Sequence, residues 1–134
     1  MVAAIIFLSS CKKDVIYNHD GKVTLVGKWH VISDSSFSNA GIHNHPVNYK
    51  GQADDYFDFR ADSNLYIKEG STLDTLHYSV TSDTTMVIDA FGGIMNGVEE
   101  TSFVTNLTAH SLTITAPILI TPGGLFGRRV DLNK

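Results

Sequence analysis

From residue 24 onward, apolar side chains fall at every second position in short runs, and no segment of ten or more residues sets them at helical spacing. This constrains the fold more than any other feature of the chain. A period of two sends alternate side chains to opposite faces, which is the pattern of a strand with one buried face. In "DYFDFRA", Phe57, Phe59 and Ala61 share one face, opposite Tyr56, Asp58 and Arg60. In "LHYSV", Leu76, Tyr78 and Val80 stand together, and in "SLTITA" so do Leu112, Ile114 and Ala116. Strands of a parallel sheet are buried on both faces and lose this alternation, so the chain is expected to be all-β and antiparallel.

Eight strands are expected, near Thr24–Asp34, Asp54–Ala61, Asn64–Glu69, Thr72–Thr81, Thr84–Ala90, Thr101–Thr108, Ser111–Ala116 and Leu125–Leu132. The second, fourth and sixth connections ("ADSN", "TSDT", "LTAH") are tight and polar, as hairpin turns are. The first (Ser35–Ala53), fifth ("FGGIMNGVEE") and seventh ("PILITPGG") are long, and only the third ("EGST") among the odd ones is short. Odd connections of an up-and-down meander lie at one end. The expectation is therefore an eight-stranded antiparallel barrel with a tight closed end and an elaborated mouth.

Composition narrows the class. The chain has 134 residues, enough for one domain and one core. Its net charge is −4 and its ten Lys and Arg are scattered, which gives no basic face for nucleic acid. With a single cysteine, neither disulfides nor a cysteine-based zinc site can support the fold.

That cysteine sits in "MVAAIIFLSSCKKD". The seven apolar residues from Val2 to Leu8 span about 10 Å as a helix, far short of the ~20 residues of a membrane span. A short apolar run followed by small residues reads as a secretory signal, residues 1–10. Leu-Ser-Ser-Cys resembles the bacterial lipobox, in which the signal is cut before the cysteine and the thiol is lipidated. The resemblance implies a lipid anchor at Cys11 and residence in the bacterial cell envelope, at the outer membrane or cell surface. A lipoprotein signal opens with Lys or Arg, whereas here Met1 runs directly into the apolar segment, which places the true start upstream or marks a shortened gene start. Residues 11–22 then read as lipidated cysteine plus flexible tether, and residues 23–134 as the barrel domain.

Within the barrel, "LVGKWHVIS" (Leu25 to Ser33) resembles the Gly-X-Trp first strand of the lipocalin family, with Gly27 and Trp29 in the motif positions. The last strand, "LFGRRVDL", supplies Arg128 on its inward face, and the resemblance implies that Arg128 packs on Trp29 at the closed end. The sequence is most similar to the lipocalin-like lipoproteins of Bacteroidota. The resemblance implies a small lipophilic ligand carried inside. Candidate lining residues are Phe57, Phe59, Leu65, Ile67, Tyr78, Met86, Ile88, Phe103, Leu112 and Ile114, each of which reads as core ahead of ligand contact, because an eight-stranded barrel can be filled by its own side chains. At the mouth, Phe91, Ile94, Met95, Ile118, Leu119 and Ile120 lie in segments that would otherwise be polar. They close over a ligand, meet the membrane, dock another envelope protein, or pack on each other as a cap.

No catalytic constellation stands out. "GIHNHP" sets His43 and His45 two apart, with Asp54, Asp55 or His30 as third ligands that nothing fixes, and no metal site is expected. Asp58 and Asp62 read as strand-face and turn residues. There is no Gly-X-Ser-X-Gly elbow, Walker loop or dinucleotide fingerprint, so no cofactor and no enzymatic role are expected. Two functions are expected: a membrane-anchored carrier of a small lipophilic molecule, or a non-enzymatic envelope lipoprotein whose apolar mouth docks another protein.

Overall fold

The computed structural model describes residues 15–18, 21–38, 48–92, 101–122 and 124–134. The described residues form strands and turns and no helix, so none forms a helix long and apolar enough to cross a membrane. The strands are β1 (Val15–Asn18), β2 (Gly21–Thr24), β3 (Gly27–Ser38), β4 (Asn48–Lys50), β5 (Tyr56–Phe59), β6 (Asn64–Glu69), β7 (Thr72–Val80), β8 (Thr85–Ile88), β9 (Thr101–Thr105), β10 (Ser111–Thr121) and β11 (Gly124–Asn133). From β5 to β11 each strand pairs antiparallel with the next, and β11 returns to pair with β3. β4 and β5 lie in succession along the same side of β3, opposite residues 33–35 and 27–30. The result is the eight-stranded closed up-and-down barrel that the alternation implies.

Two glycines make the β3–β4–β5 seam possible. Gly27 opens β3 with φ of +127°, a conformation that L side chains rarely adopt. Gly51 lies against β3 so closely that an added Cβ would stand 1.8 Å from the Val31 carbonyl oxygen, and its N–H donates to Ile32 O at 3.0 Å. The residues after it turn back, and Asp55 O accepts from Val31 N at 3.3 Å before β5 begins.

Besides the extension of β3 to Ser38 and the strand β4, both within the expected first connection Ser35–Ala53, three segments differ from the sequence reading. Val15–Asn18 and Gly21–Thr24, expected as tether up to residue 22 and as barrel from residue 23, pair as a separate hairpin with Val15 opposite Thr24. Its β-branched runs flank an Asn-His-Asp-Gly stretch, which favours a turn. The seventh connection is not a long loop. "PILIT" extends β10, and Thr121 pairs with Gly124, leaving only residues 122–123 as the connection. Pro117 falls where the β10–β11 register shifts between Ala116 and Leu119, the bulged position at which a strand tolerates proline. The third difference is in phase. Ser102 and Val104 are buried and Phe103 is 47% exposed, so Phe103 belongs to the outer face and not to the lining. Cross-strand partners share a face, and Val104 pairs with inward Ile114.

The core is one cluster along the barrel axis, from Leu25, Trp29, Phe59, Leu107 and Leu132 near one end to Phe57, Ile67, Ile88 and Phe91 toward the other. At the first end, Trp29 Nε1 donates to Leu25 O at 2.8 Å. Phe59 and Tyr78 meet edge to face at 5.1 Å, and Tyr78 Oη donates to Arg60 O at 2.7 Å. The cation on the indole is Lys134, whose Nζ lies 4.2 Å from the Trp29 ring centroid. Arg128, expected there, is elsewhere. It pairs with Ser36, seven positions further along β3 than Trp29, and so lies toward the opposite end of the barrel.

Candidate functional site

The opposite end holds a buried ion cluster built around Arg128. Its Nε donates to Asp34 Oδ2 at 2.8 Å, and its Nη2 lies 2.6 Å from the same oxygen and 2.9 Å from Glu69 Oε2. All three side chains are almost wholly excluded from solvent. The guanidinium also lies against two rings, with its central carbon 4.7 Å from the Phe91 centroid and 5.4 Å from that of Phe57. Those rings meet edge to face at 6.4 Å. Ser36 Oγ adds a hydrogen bond to Asp34 Oδ1 at 2.9 Å.

Asp55 joins the cluster through the turn after Glu69. It accepts from Gly70 N and Gln52 N, each at 2.8 Å, and from the Tyr49 hydroxyl. Burial alone would raise its pKa, but these donors outweigh burial and hold the carboxyl below its ordinary range. Burial and the bond to Asp55 push the Tyr49 hydroxyl up to about 12. The cluster thus places two carboxylates, Asp34 and Glu69, on one guanidinium, with Asp55 alongside on the turn after Glu69, held by the Tyr49 hydroxyl and two backbone N–H groups. A pair this deeply buried contributes little net stability beside an apolar replacement, yet breaking it strands a charge. Its chemistry is that of a plug: a buried cation held by two carboxylates.

Sequence reasoning anticipated Arg128 as inward but not its partners. Glu69 was legible, since Leu65, Ile67 and Glu69 share one face of β6. Asp34 was not. Strict alternation from Trp29 and Val31 sends Ser33 and Ser35 inward, but the β3–β11 register shifts between Ser33 and Val31 and turns Asp34 and Ser36 inward instead. Tyr49 and Asp55 lie beside a break in the strand that no sequence periodicity marks.

Of the candidate lining residues, Phe57, Phe59, Leu65, Tyr78, Met86, Ile88 and Ile114 are 0% exposed. A void able to admit water would leave accessible area on the side chains around it, so these side chains pack on the chain itself. One polar atom breaks the apolar lining: the hydroxyl of Ser102, which pairs across to Met86, is buried without a hydrogen-bond partner among the described residues.

The candidate mouth residues separate into two groups. Phe91 is interior, while Ile118, Leu119 and Ile120 are 61%, 36% and 83% exposed on the extension of β10. Leu125, opposite Ile120 on β11 and not singled out from sequence, is 45% exposed. Ile94, Met95, His43, His45 and Cys11 lie outside the described residues. Among the described residues no group of three or more His, Cys, Asp or Glu is arranged to hold a metal ion. No family model matches the chain, and no curated protein or solved structure matches it either. What the coordinates define is therefore a class by architecture: an eight-stranded antiparallel barrel carrying a buried ion cluster at one end and an exposed apolar hairpin beside it.

Proposed function

We propose that the protein is a non-enzymatic, lipid-anchored barrel of the bacterial cell envelope, held through Cys11, that acts as a docking module with the β10–β11 hairpin as its contact element. The supporting observation is the contrast between that hairpin and the interior. Ile118, Ile120 and Leu125 are exposed aliphatic side chains on adjoining strands, while the large interior side chains are fully covered. Contiguous exposed apolar surface on a folded domain marks contact with something. The membership suggested by the Gly-X-Trp strand, in the lipocalin-like lipoproteins, agrees with a single small barrel behind a lipid anchor.

A second reading, carriage of a small lipophilic molecule, draws on Ser102. A buried hydroxyl without a partner costs about 1–3 kcal/mol, and a ligand atom would satisfy it. The two readings divide on a double substitution, Ile120→Asp with Leu125→Asp. Docking expects unfolding free energy unchanged within about 0.5 kcal/mol, as for exposed sites, and loss of the partner contact in the host. Unfolding of that variant, or retention of every contact, would remove the hairpin from consideration.

A further inference from the structure

We infer that residues 48–55 form a latch over the Arg128 end of the barrel, that Asp55 is its clasp, and that acid opens the latch as a unit while the strands beneath it stay folded. This goes beyond the docking reading and depends on neither the anchor nor the hairpin.

The segment is built unlike the barrel it lies on. Its sequence, "NYKGQADD", holds no aliphatic side chain larger than alanine, and Tyr49 is its only aromatic. It therefore buries little apolar surface and is held by hydrogen bonds. Along β3 these are few. β4 lies opposite residues 33–35, Gly51 N donates to Ile32 O at 3.0 Å, and Val31 N donates to Asp55 O at 3.3 Å. Others converge on one carboxylate. Asp55 Oδ2 accepts from the Tyr49 hydroxyl and from Gln52 N, while Oδ1 accepts from Gly70 N in the turn between β6 and β7. A single fully buried side chain thus ties together β4, the turn after Gly51 and the β6–β7 turn. Tyr49 lies opposite Asp34, and Gly70 follows Glu69, so the latch sits over the ion cluster. The barrel, by contrast, closes through eight paired strands around an apolar core. Segments with few apolar contacts open at lower free energy than the fold as a whole.

Acid acts on the clasp through its charge. The titratable groups on the elements around Asp55 are Tyr49 and Lys50 on β4, Asp54 in its own turn, Lys68 and Glu69 on β6, and Asp34 on β3. Asp34 and Glu69 are bonded to the Arg128 guanidinium, which stays charged throughout the acid range. The three donors on Asp55 are neutral instead, and the cation acting on it is Lys68, whose Nζ donates to Asp54 O at 3.4 Å. In the closed latch burial raises the Asp55 pKa, but the donors outweigh burial and hold it below its ordinary value. Opening frees the carboxyl to take up a proton at that ordinary value, so falling pH favours the open form. The open form bares the edge of β3 from Val31 to Ser35 and admits water to the ion cluster.

The test uses the full chain with Cys11→Ser and Ala53→Cys, which leaves one thiol for a bimane label at an exposed position of the latch. Trp29, the only tryptophan, reports on the core at the other end. On acid titration the bimane signal is expected to change first, with a midpoint at least about 0.5 pH unit above that of Trp29. Adding Asp55→Asn is expected to flatten the bimane profile over the range where the parent chain changes. Tyr49→Phe keeps the carboxylate and removes one donor. It is expected to move the bimane midpoint toward neutral pH and leave the Trp29 midpoint in place. Coincident bimane and Trp29 midpoints in the parent chain overturn the separate latch. A bimane transition that persists unshifted in Asp55→Asn, or that Tyr49→Phe leaves unmoved, overturns Asp55 as its clasp.

Discussion

The two ends of the barrel are closed by different physics. At the Trp29 end an indole, a phenol and aliphatic side chains fill the cross-section, with one N–H satisfied by the Leu25 carbonyl and one ammonium laid on the indole face. At the Arg128 end the cross-section is filled by a guanidinium, two rings and two carboxylates. An apolar plug tolerates loss of one member in proportion to the volume removed. An ionic plug fails by imbalance, because each charge is buried only on condition that its partner is present.

The largest expected effect tests that asymmetry. Arg128→Leu should cost about 3–5 kcal/mol at neutral pH, since it strands Asp34 and Glu69 in the interior. Adding Asp34→Asn and Glu69→Gln should restore most of the loss, as measured by denaturant unfolding. If the triple variant is no more stable than the single one, the cost is packing and the ends are alike. Trp29→Ala should cost a similar ~3–5 kcal/mol through its cavity, but with no such rescue by neutralising carboxylates.

Acid separates the ends next. Because Asp55 is held below its ordinary value in the folded state, its contribution is intact above the usual carboxylate range and is lost as pH falls through the folded value. Wild type should therefore lose stability steeply below about pH 4. Arg128→Leu should lose it less steeply, since protonation also relieves its stranded carboxylates. Parallel acid-unfolding curves for wild type and Arg128→Leu would contradict this. At the other extreme, Tyr49 titrates near 12 in the folded state, so its share of stability persists to pH 10 and fades as pH rises through about 12.

Smaller effects sharpen the contrast. Lys134→Ala should cost about 0.5–2 kcal/mol through the lost cation–π contact with Trp29, and thermal unfolding would register it. Ser102→Ala should be neutral or stabilising by up to about 1 kcal/mol, because it removes a buried hydroxyl that has no partner among the described residues. Destabilisation of the host-purified protein by Ser102→Ala would mean that something bonds that hydroxyl.

Much of the fold was legible because a period of two is a strong signal wherever one face is buried. The strands from Asn64 to Ile88 lie close to where alternation places them. The failures cluster where local geometry resets the phase. The irregularity at Ile32 turns Asp34 inward, and adjacent apolar residues in "TSFVT" leave the orientation of β9 to its neighbours. Pro117 made "PILIT" read as loop, although a bulge admits it into β10. The Arg128 cluster was half legible for the same reasons. Its cation and Glu69 obey alternation, whereas Asp34, Asp55 and Tyr49 depend on the irregularity in β3 and on the Gly51 approach to Val31. Leu125 escaped notice because one exposed leucine is ordinary until its strand partner is known.

The central claim is that the chain fills its own barrel and leaves the hairpin for contact. Native mass spectrometry on the domain from about residue 20, purified from its host without detergent, tests it most directly. The predicted result is the bare polypeptide mass, unchanged after incubation with host lipid extract. A discrete added mass that leaves on denaturation would contradict the filled interior and make the protein a carrier.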